Sequence, residues 1–473
     1  MMPVRTAVGV ALVYTTLTGC QHIPQKPLYL DEIRASLSDR PLDIEPIRAF
    51  ASNLLSEAET ESNELSAADG LTLIEARAVG LWYNSNLRAA RLAATHADEI
   101  ARATGRWADP NVDISAGKQR VESETNGADS RSPATGLNAI ERNWIGEGGI
   151  SITIPLSGQP RAEKRYQETA ADVARLAALE AEWRFLADLE EHWYVWSAAE
   201  AHVKLLDDFL TALKPFRDMA APLAAAGELP SGSARLFAIE FDRDVARRAR
   251  AVGEAASAKV ALLGLLGLSP DAPVELIPSL AGVAPPEPAN VTGEHPALVR
   301  ARGDYDLTER ALRVELRKQY PDVTLSPGFS DEGDESALVL GLGFPIPVWN
   351  ANRQGIAEAA ATRDRTRLEV ESLYHEILVE LGQDRNTWQG AHTAWTHLSE
   401  NVAGVLDTQL TESLTLLRLG ELNVGLMHGV LTQSLETKQE LLDALLAMRT
   451  AAGHITAATA PYRATTAATE VEQ

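Results

Sequence analysis

The sequence predicts a mainly α fold with a small β part, laid down as two internal repeats. Each repeat contributes two β-strands and a set of long coiled-coil helices. Three observations predict it: the chain repeats its own markers, its long apolar stretches keep a seven-residue period, and four short segments alternate apolar with polar residues.

The repetition organises everything else. "DPNVDISAG" (109–117) matches "YPDVTLSPG" (320–328) position by position, pairing Pro110 with Pro321, Val112 with Val323, Ile114 with Leu325 and Gly117 with Gly328. Upstream, "NLRAARLAA" (86–94) stands at the same separation from "ALVRARGDY" (297–305). Downstream, "ISITIPLSGQPR" (150–161) matches "LVLGLGFPIPVWNANR" (338–353), with Pro155 opposite Pro345 and Arg161 opposite Arg353. "GELP" (227–230) is answered by "GELN" (420–423). The first repeat is therefore expected over 71–268 and the second over 292–466, joined by a Pro-rich linker at 269–291. An N-terminal arm with one short helix precedes them at 20–70, and 467–473 reads as a frayed tail.

Between the markers lie the helices. Leu189, Trp196, Val203 and Leu210 are each seven apart, as are Leu381, Trp388, Trp395 and Val402. A seven-residue apolar repeat imposes coiled-coil packing, although an amphipathic helix on a globular core shows the same series. Length favours the coiled coil: Arg161 to Ala226 is about 66 residues, roughly 100 Å if fully helical. Pro215 and Pro222 stand inside the first of these helices and Thr408 and Thr415 at the matching places in the second. An interior proline removes one hydrogen bond and crowds the preceding turn. The helix near 215–226 is therefore expected to bend or break, and 400–419 to run smoothly.

The strands carry an apolar and a polar face. Val112, Ile114 and Ala116 alternate with Asn111, Asp113 and Ser115, and Ile150, Ile152 and Ile154 alternate with Ser151 and Thr153. That pattern fits a barrel wall with lipid outside and water inside. A small sandwich with a dry core is the alternative, and four short strands give it little sheet. The last strand ends at an elbow, "FPIPVWNANRQG" (344–355). Pro345 and Pro347 cannot donate to a ladder, Trp349 follows, and Asn350 or Asn352 can cap the next helix. Pro155 marks the same elbow in the first repeat. An ordinary strand-to-helix loop of an α/β protein has these features too.

Residues 1–19 read as a secretory signal: Arg5, a short apolar run from Ala7 to Leu17, then small residues. "LTGC" (17–20) resembles the bacterial lipobox, in which Cys20 becomes the lipid-bearing first residue; an ordinary cut near Gly19 would instead leave a stray thiol. Cys20 is the chain's only cysteine, so no disulfide framework exists. Gln21, not Asp, follows it, which by the bacterial sorting rule directs a lipoprotein to the outer membrane. No stretch offers eighteen uninterrupted apolar residues, so any crossing of a membrane falls to strands. The 43 Lys and Arg against 66 Asp and Glu leave a net charge of −23, which repels nucleic acid.

No catalytic constellation stands out: HExxH, GxSxG, the P-loop and CxxC are all absent from the sequence. The closest histidines, His392 and His397, lie roughly 140° apart on a helix, unsuited to sharing a metal. "DEGDE" (331–335) lacks the EF-hand ligand spacing. No enzyme activity, cofactor or metal site is expected. Gly227 and Gly420 have the look of helix C-caps allowing tight reversals.

Together the lipobox cysteine, the duplicated strand–loop–strand units, the "FPIPVWNANRQGIAEA" elbow and the two Gly-Glu-Leu turns resemble the TolC-like outer-membrane efflux protein family. "NSNLRAARLAATHADEIARATGRWADPNVDISAG" (84–117) is most like its heavy-metal, CzcC-type branch. The resemblance implies a homotrimer in the outer membrane of a Gram-negative bacterium. Four strands per chain would close a twelve-stranded barrel in lipid, continuous with an α-barrel through the periplasm. It further implies a passive exit duct that receives substrate from an inner-membrane RND-type pump through a periplasmic adaptor. The adaptor would dock at the tips, at Gly227, Glu228, Leu229, Gly420, Glu421 and Leu422, where the pore also closes. Glu228 and Glu421 would then ring the entrance with carboxylates, which favours cations. Relatives often carry acids just past the second turn; here Leu426, Met427 and Gly429 stand there, so an aspartate gate does not carry over. A lipid-anchored periplasmic coiled-coil scaffold is the reading from another class, and drug or type I protein export the alternative within transport.

Overall fold

The computed structural model describes residues 24–42, 44–45, 47–48, 70–122, 140–227, 229–280, 290–332, 335–418 and 424–459. Cys20, Glu228, Gly420, Glu421 and Leu422 lie outside these, as do the signal segment and the 467–473 tail.

A short helix α1 (Leu30–Ser38) precedes α2 (Leu73–Tyr83) and α3 (Ser85–Ala103). Thr72 and Glu75 form a reciprocal capping box at the start of α2, the Thr72 N–H donating to Glu75 Oε2 at 2.8 Å. Asn84 accepts from the Asn86 and Leu87 N–H groups at 2.9 and 3.1 Å, which turns α2 into α3 without a loop. Then come β1 (Asn111–Glu122), β2 (Ile140–Ile154), the 68-residue α4 (Gln159–Ala226) and α5 (Ser231–Leu265). The order recurs with α6 (Pro296–Arg317), β3 (Val323–Glu332), β4 (Glu335–Gly343) and the 45-residue α7 (Arg353–His397). A π-helical segment (Leu398–Ala403) leads into α8 (Gly404–Arg418), and α9 (Val424–Thr459) returns.

The four strands form one antiparallel sheet in the order β1-β2-β3-β4, so β2 of one repeat pairs with β3 of the other. Pro327 withdraws a donor from the inner strand β3. The register holds on both sides of it, with Gly149 opposite Gly328 and Ile152 opposite Leu325.

Around α4 the helices are layered. Its sheet-proximal half packs between α3 and α6, and its distal half between α5 and α9. α7 touches α6 and then α9. One hydrophobic core gathers α2, the middle of α4 and the end of α5, with Leu81, Leu189, Trp193 and Leu262 fully buried. Trp193 meets Trp196 edge to face at 5.4 Å. A second core at the distal end joins Leu206, Phe209, Leu213 and Phe216 of α4 to Leu431 and Leu435 of α9.

The break expected near Pro215 and Pro222 and the smooth run expected over 400–419 are corrected. α4 runs unbroken through Pro215 and Pro222, both exposed, whereas the matching helix of the second repeat is interrupted by the π segment at 398–403. Prolines facing away from the packed side leave room for the ring without breaking the helix; the π turn reflects one extra residue taken up inside a helix. The linker is laid against the core. The Leu71 N–H donates to Glu275 O and the Ile277 N–H to Leu71 O, both at 2.9 Å, and Leu276 is buried.

Candidate functional site

The candidate functional elements are the two faces of the sheet, the elbows at its foot and the turns at the far helix tips. Cross-strand register puts Ile114, Gly148, Phe329 and Leu338 in one row, and Ile152, Leu325 and Leu342 in another. Val112 and Ile150 share that face. It faces solvent in the single chain: Leu338 is 87% exposed. The opposite face carries Ser115, Glu147 and Ser330 in one row, and Thr153 beside Thr324. The Ser115 hydroxyl donates to Glu147 Oε2 at 3.2 Å, and the Thr153 and Thr324 hydroxyls lie 3.3 Å apart. One face is therefore built for an apolar surround and the other for water. The inner strands span 15 and 10 residues, enough to cross a bilayer's hydrocarbon core.

Both elbows are anchored by carboxylates at the junction of α6 and β3. In the first, Pro155 ends the ladder, Asp322 accepts the Ser157 N–H at 3.0 Å, and Gly158 takes a left-handed conformation (φ 70°) at the head of α4. In the second, Pro345 and Pro347 follow β4, and Ala351 and Asn352 both have positive φ (41° and 53°). Asn352, not Asn350, sits at the helix head, and its side chain does not cap. Its amide donates instead to Glu315 O and Oε2 at 2.9 and 2.7 Å, while the Asn350 carbonyl accepts the Arg353 N–H. Hydrogen bonds from Lys318 and then Asn352 hold the Glu315 carboxyl below the usual range. Phe344, Ile346, Val348 and Trp349 are exposed, Trp349 at 90%, and so are Trp107 and Tyr320 near the roots of β1 and β3. Aromatics in such a position suit a membrane–water boundary.

At the far end, Gly227 closes α4 in the left-handed region (φ 79°), and the Leu229 N–H reaches back to Leu223 O at 3.2 Å. Pro230 then opens α5.

Sequence reasoning missed the charges that fasten α4 to its neighbours. Glu182 pairs with Arg91 of α3 at 2.8 Å and is almost wholly buried. Glu180, two residues earlier and so on the other side of the helix, takes Arg300 of α6 at 2.9 Å and Arg184 at 2.7 Å. Asp322 and Glu315 were missed likewise; no local signal marks them. His392 stacks on Trp388 at 4.8 Å. Among the described residues no helix is long and apolar enough to cross a membrane, and no group of three or more His, Cys, Asp or Glu is placed to hold a metal ion.

No family model matches the chain. The outer-membrane channel OprN superposes with a TM-score of 0.69 at 16% identity, covering 94% of this chain and 99% of that one. The Campylobacter jejuni CmeC outer-membrane channel gives 0.68 at 11% identity, covering 94% and 96%. This chain has the TolC-like outer-membrane channel fold. The outer-membrane protein VceC of Vibrio cholerae, at a TM-score of 0.66 and 14% identity over 82% of this chain and 95% of that one, shares the same channel fold. In sequence, 224 residues are 24% identical to the cobalt-zinc-cadmium resistance protein CzcC of Cupriavidus metallidurans, 46% of this chain and 54% of the relative. The match thus spans about half the length of that curated relative. These similarities are to transport proteins, not to enzymes.

Proposed function

We propose that this protein is the outer-membrane exit duct of a tripartite efflux system, working passively and as a homotrimer. The observation that carries the reading is the two-faced sheet with both edges open, continuous through carboxylate-pinned elbows with helices of up to 68 residues. Four strands are too few to close a barrel, so three chains would complete one, the apolar face outward and the Ser/Thr/Glu face lining water. A periplasmic scaffold has no use for such a sheet. The likeness to CzcC supports divalent heavy-metal cations as cargo, handed on by an inner-membrane RND-type pump and a periplasmic adaptor. Cys20 would carry the lipid anchor of a chain cut after residue 19. The adaptor would dock at Gly227–Leu229 and Gly420–Leu422, with Glu228 and Glu421 at the pore entrance. The repeats at 71–268 and 292–466 are the units of assembly.

The deciding experiment is conductance in planar bilayers together with metal tolerance of a deletion strain. The protein should behave as a trimer in mild detergent, pass cations in preference to anions, and restore growth in zinc, cobalt or cadmium. A stable monomer without conductance would sink the reading; conductance without metal rescue would leave a duct for other cargo. Cys20→Ser should abolish fatty-acid labelling. A disulfide between neighbouring tips near Leu422 should block export more than one near Leu229, because the second hairpin is the one proposed to line the closed pore.

A further inference from the structure

The second hairpin is held unevenly along its two arms. α9 is fastened at three levels. Near its start the His428 ring meets the buried Phe237 of α5 edge to face at 5.7 Å. Farther on, Leu431 and Leu435 enter the distal core beside Leu206, Phe209 and Leu213 of α4. Gln439 Nε2 then lies 2.9 Å from His202 Nε2 of α4, and Met448 and Ile455 are buried nearer the end. α8 has no such hold. It packs on α9 and on the π segment, and among the described residues no comparable contact joins it to α4 or α5. Of its described side chains Leu406 alone is buried, while Val405 beside it is 64% exposed.

The root of α8 is built to bend. The π segment Leu398–Ala403 buries no residue. Its wider turn interrupts the α-helical ladder, and such interruptions are where helices kink. Gly404 follows at once, with no neighbouring element within 4 Å of where a Cβ would stand, so no packing there resists a change of backbone angle. Hydroxyls compete for carbonyls on either side: Ser399 donates to Thr396 O at 3.2 Å and Thr408 to Gly404 O at 2.8 Å. Side-chain bonds of this kind loosen and bend a helix. The matching stretch of α4 buries Leu206 and Phe209 instead.

We propose that α8 is a lever: it swings about a hinge at 398–404 while α9 stays clamped to α4. A few residues at an element's end, beside a fixed neighbour, suffice to move one element alone. α8 has 15 residues and is about 22 Å long, so a bend of about 20° at its root carries its far end about 8 Å. The second hairpin then does not move as one body. What the swing does, widening the duct by one helix per chain, rests on the exit-duct reading. The hinge itself is a property of the single chain.

The test pairs amide hydrogen exchange of the full-length mature protein in detergent with its conductance in planar bilayers. Exchange over 398–418 should be at least about tenfold faster than over 430–455 of α9 and 206–216 of α4, because local opening follows local packing. Deleting Asn401 makes the helix continuous, and should slow exchange over 398–408 at least about fivefold and lower the open fraction by a similar factor. Gly404→Ala meets no neighbour and should act in the same direction by about two- to threefold, which keeps the test decisive if the deletion does not fold. Equal exchange in α8 and α9, whether slow or fast, would overturn the proposal, and so would unchanged exchange over 398–408 in both variants. Stiffened variants that conduct with an unchanged open fraction would overturn it too. The expected exchange pattern in a protein that never conducts would strike the exit-duct reading and leave the hinge standing.

Discussion

The two long helices α4 and α7 leave matching elbows and carry matching heptads, yet they live differently. α4 buries Leu206, Phe209, Leu213, Phe216 and Ala220 at alternating spacings of three and four, and above them Phe185, Leu189, Trp193 and Trp196. In α7 only Thr366, Ile377 and Leu381 are buried among the described side chains, and Leu368, Leu378, Val379 and Trp395 are exposed. The cause is position. α4 has neighbours on both flanks, whereas α7 is the marginal helix, touched by α6 and α9. A heptad announces that a helix has a face to bury; it does not say that its own chain supplies the cover.

Their breaks differ in the same sense. α4 absorbs two prolines on its open side and stays continuous, supported by the packing on its other faces. α7, with fewer contacts, gives way to a π segment although no proline lies in it. Fixed neighbours override local propensity, and a helix lacking them yields to its own register.

The comparison can be broken most sharply at one tryptophan from each helix. Trp193→Ala should cost about 3–5 kcal/mol in denaturant unfolding, and Trp395→Ala under about 1 kcal/mol when measured on monomeric chain. An equal cost at Trp395 would show that α7 is covered within one chain after all. Next in size are the buried charges. Glu182→Gln leaves Arg91 without its carboxylate and should cost about 3 kcal/mol, whereas breaking the exposed Arg365–Glu369 pair of α7 (3.4 Å) should change nothing measurable.

A smaller effect of opposite sign is expected at the prolines. Pro215→Ala and Pro222→Ala restore a donor in an already continuous helix and should each stabilise by about 1–3 kcal/mol. Destabilisation would mean that α4 depends on a bend there. Deleting Asn401 should convert the π segment to α-helix and leave the facing of α8 unchanged, so that cross-linking between α8 and α9 persists; a rotated α8, read as lost cross-linking, would show that the π segment does not take up an extra residue. The smallest effect concerns the second elbow. The Glu315 carboxyl titrates below its unfolded value, so its contribution is fully present above about pH 4.3 and is lost as pH falls through the lower folded value. Asn352→Ala should narrow that acid window slightly, and an unchanged acid-unfolding profile would remove Glu315 as an anchor.

Much of the architecture is legible in the residues themselves. Alternation over Val112–Ala116 and Ile150–Ile154 specifies strands with two unlike faces, and the prolines at 155, 345 and 347 specify where pairing ends. Gly227 specifies the end of α4. Each of these acts within one turn or one pleat, so the local sequence is sufficient. The elbow asparagine shows the limit: Asn352 reads as a cap and stands at the helix head, but its side chain makes no cap bond and its amide donates instead to Glu315 Oε2 at 2.7 Å, a partner 37 residues away. Only the tertiary structure decided that β2 of one repeat pairs with β3 of the other, that α4 and not α7 is central, and that Asp322 and Glu315 fasten the two elbows. It alone set Glu180 and Glu182 against arginines on opposite sides. Those contacts join residues from 37 to 165 positions apart at the elbows alone. At such separations no local rule operates, and the partner is chosen by how the repeats pack.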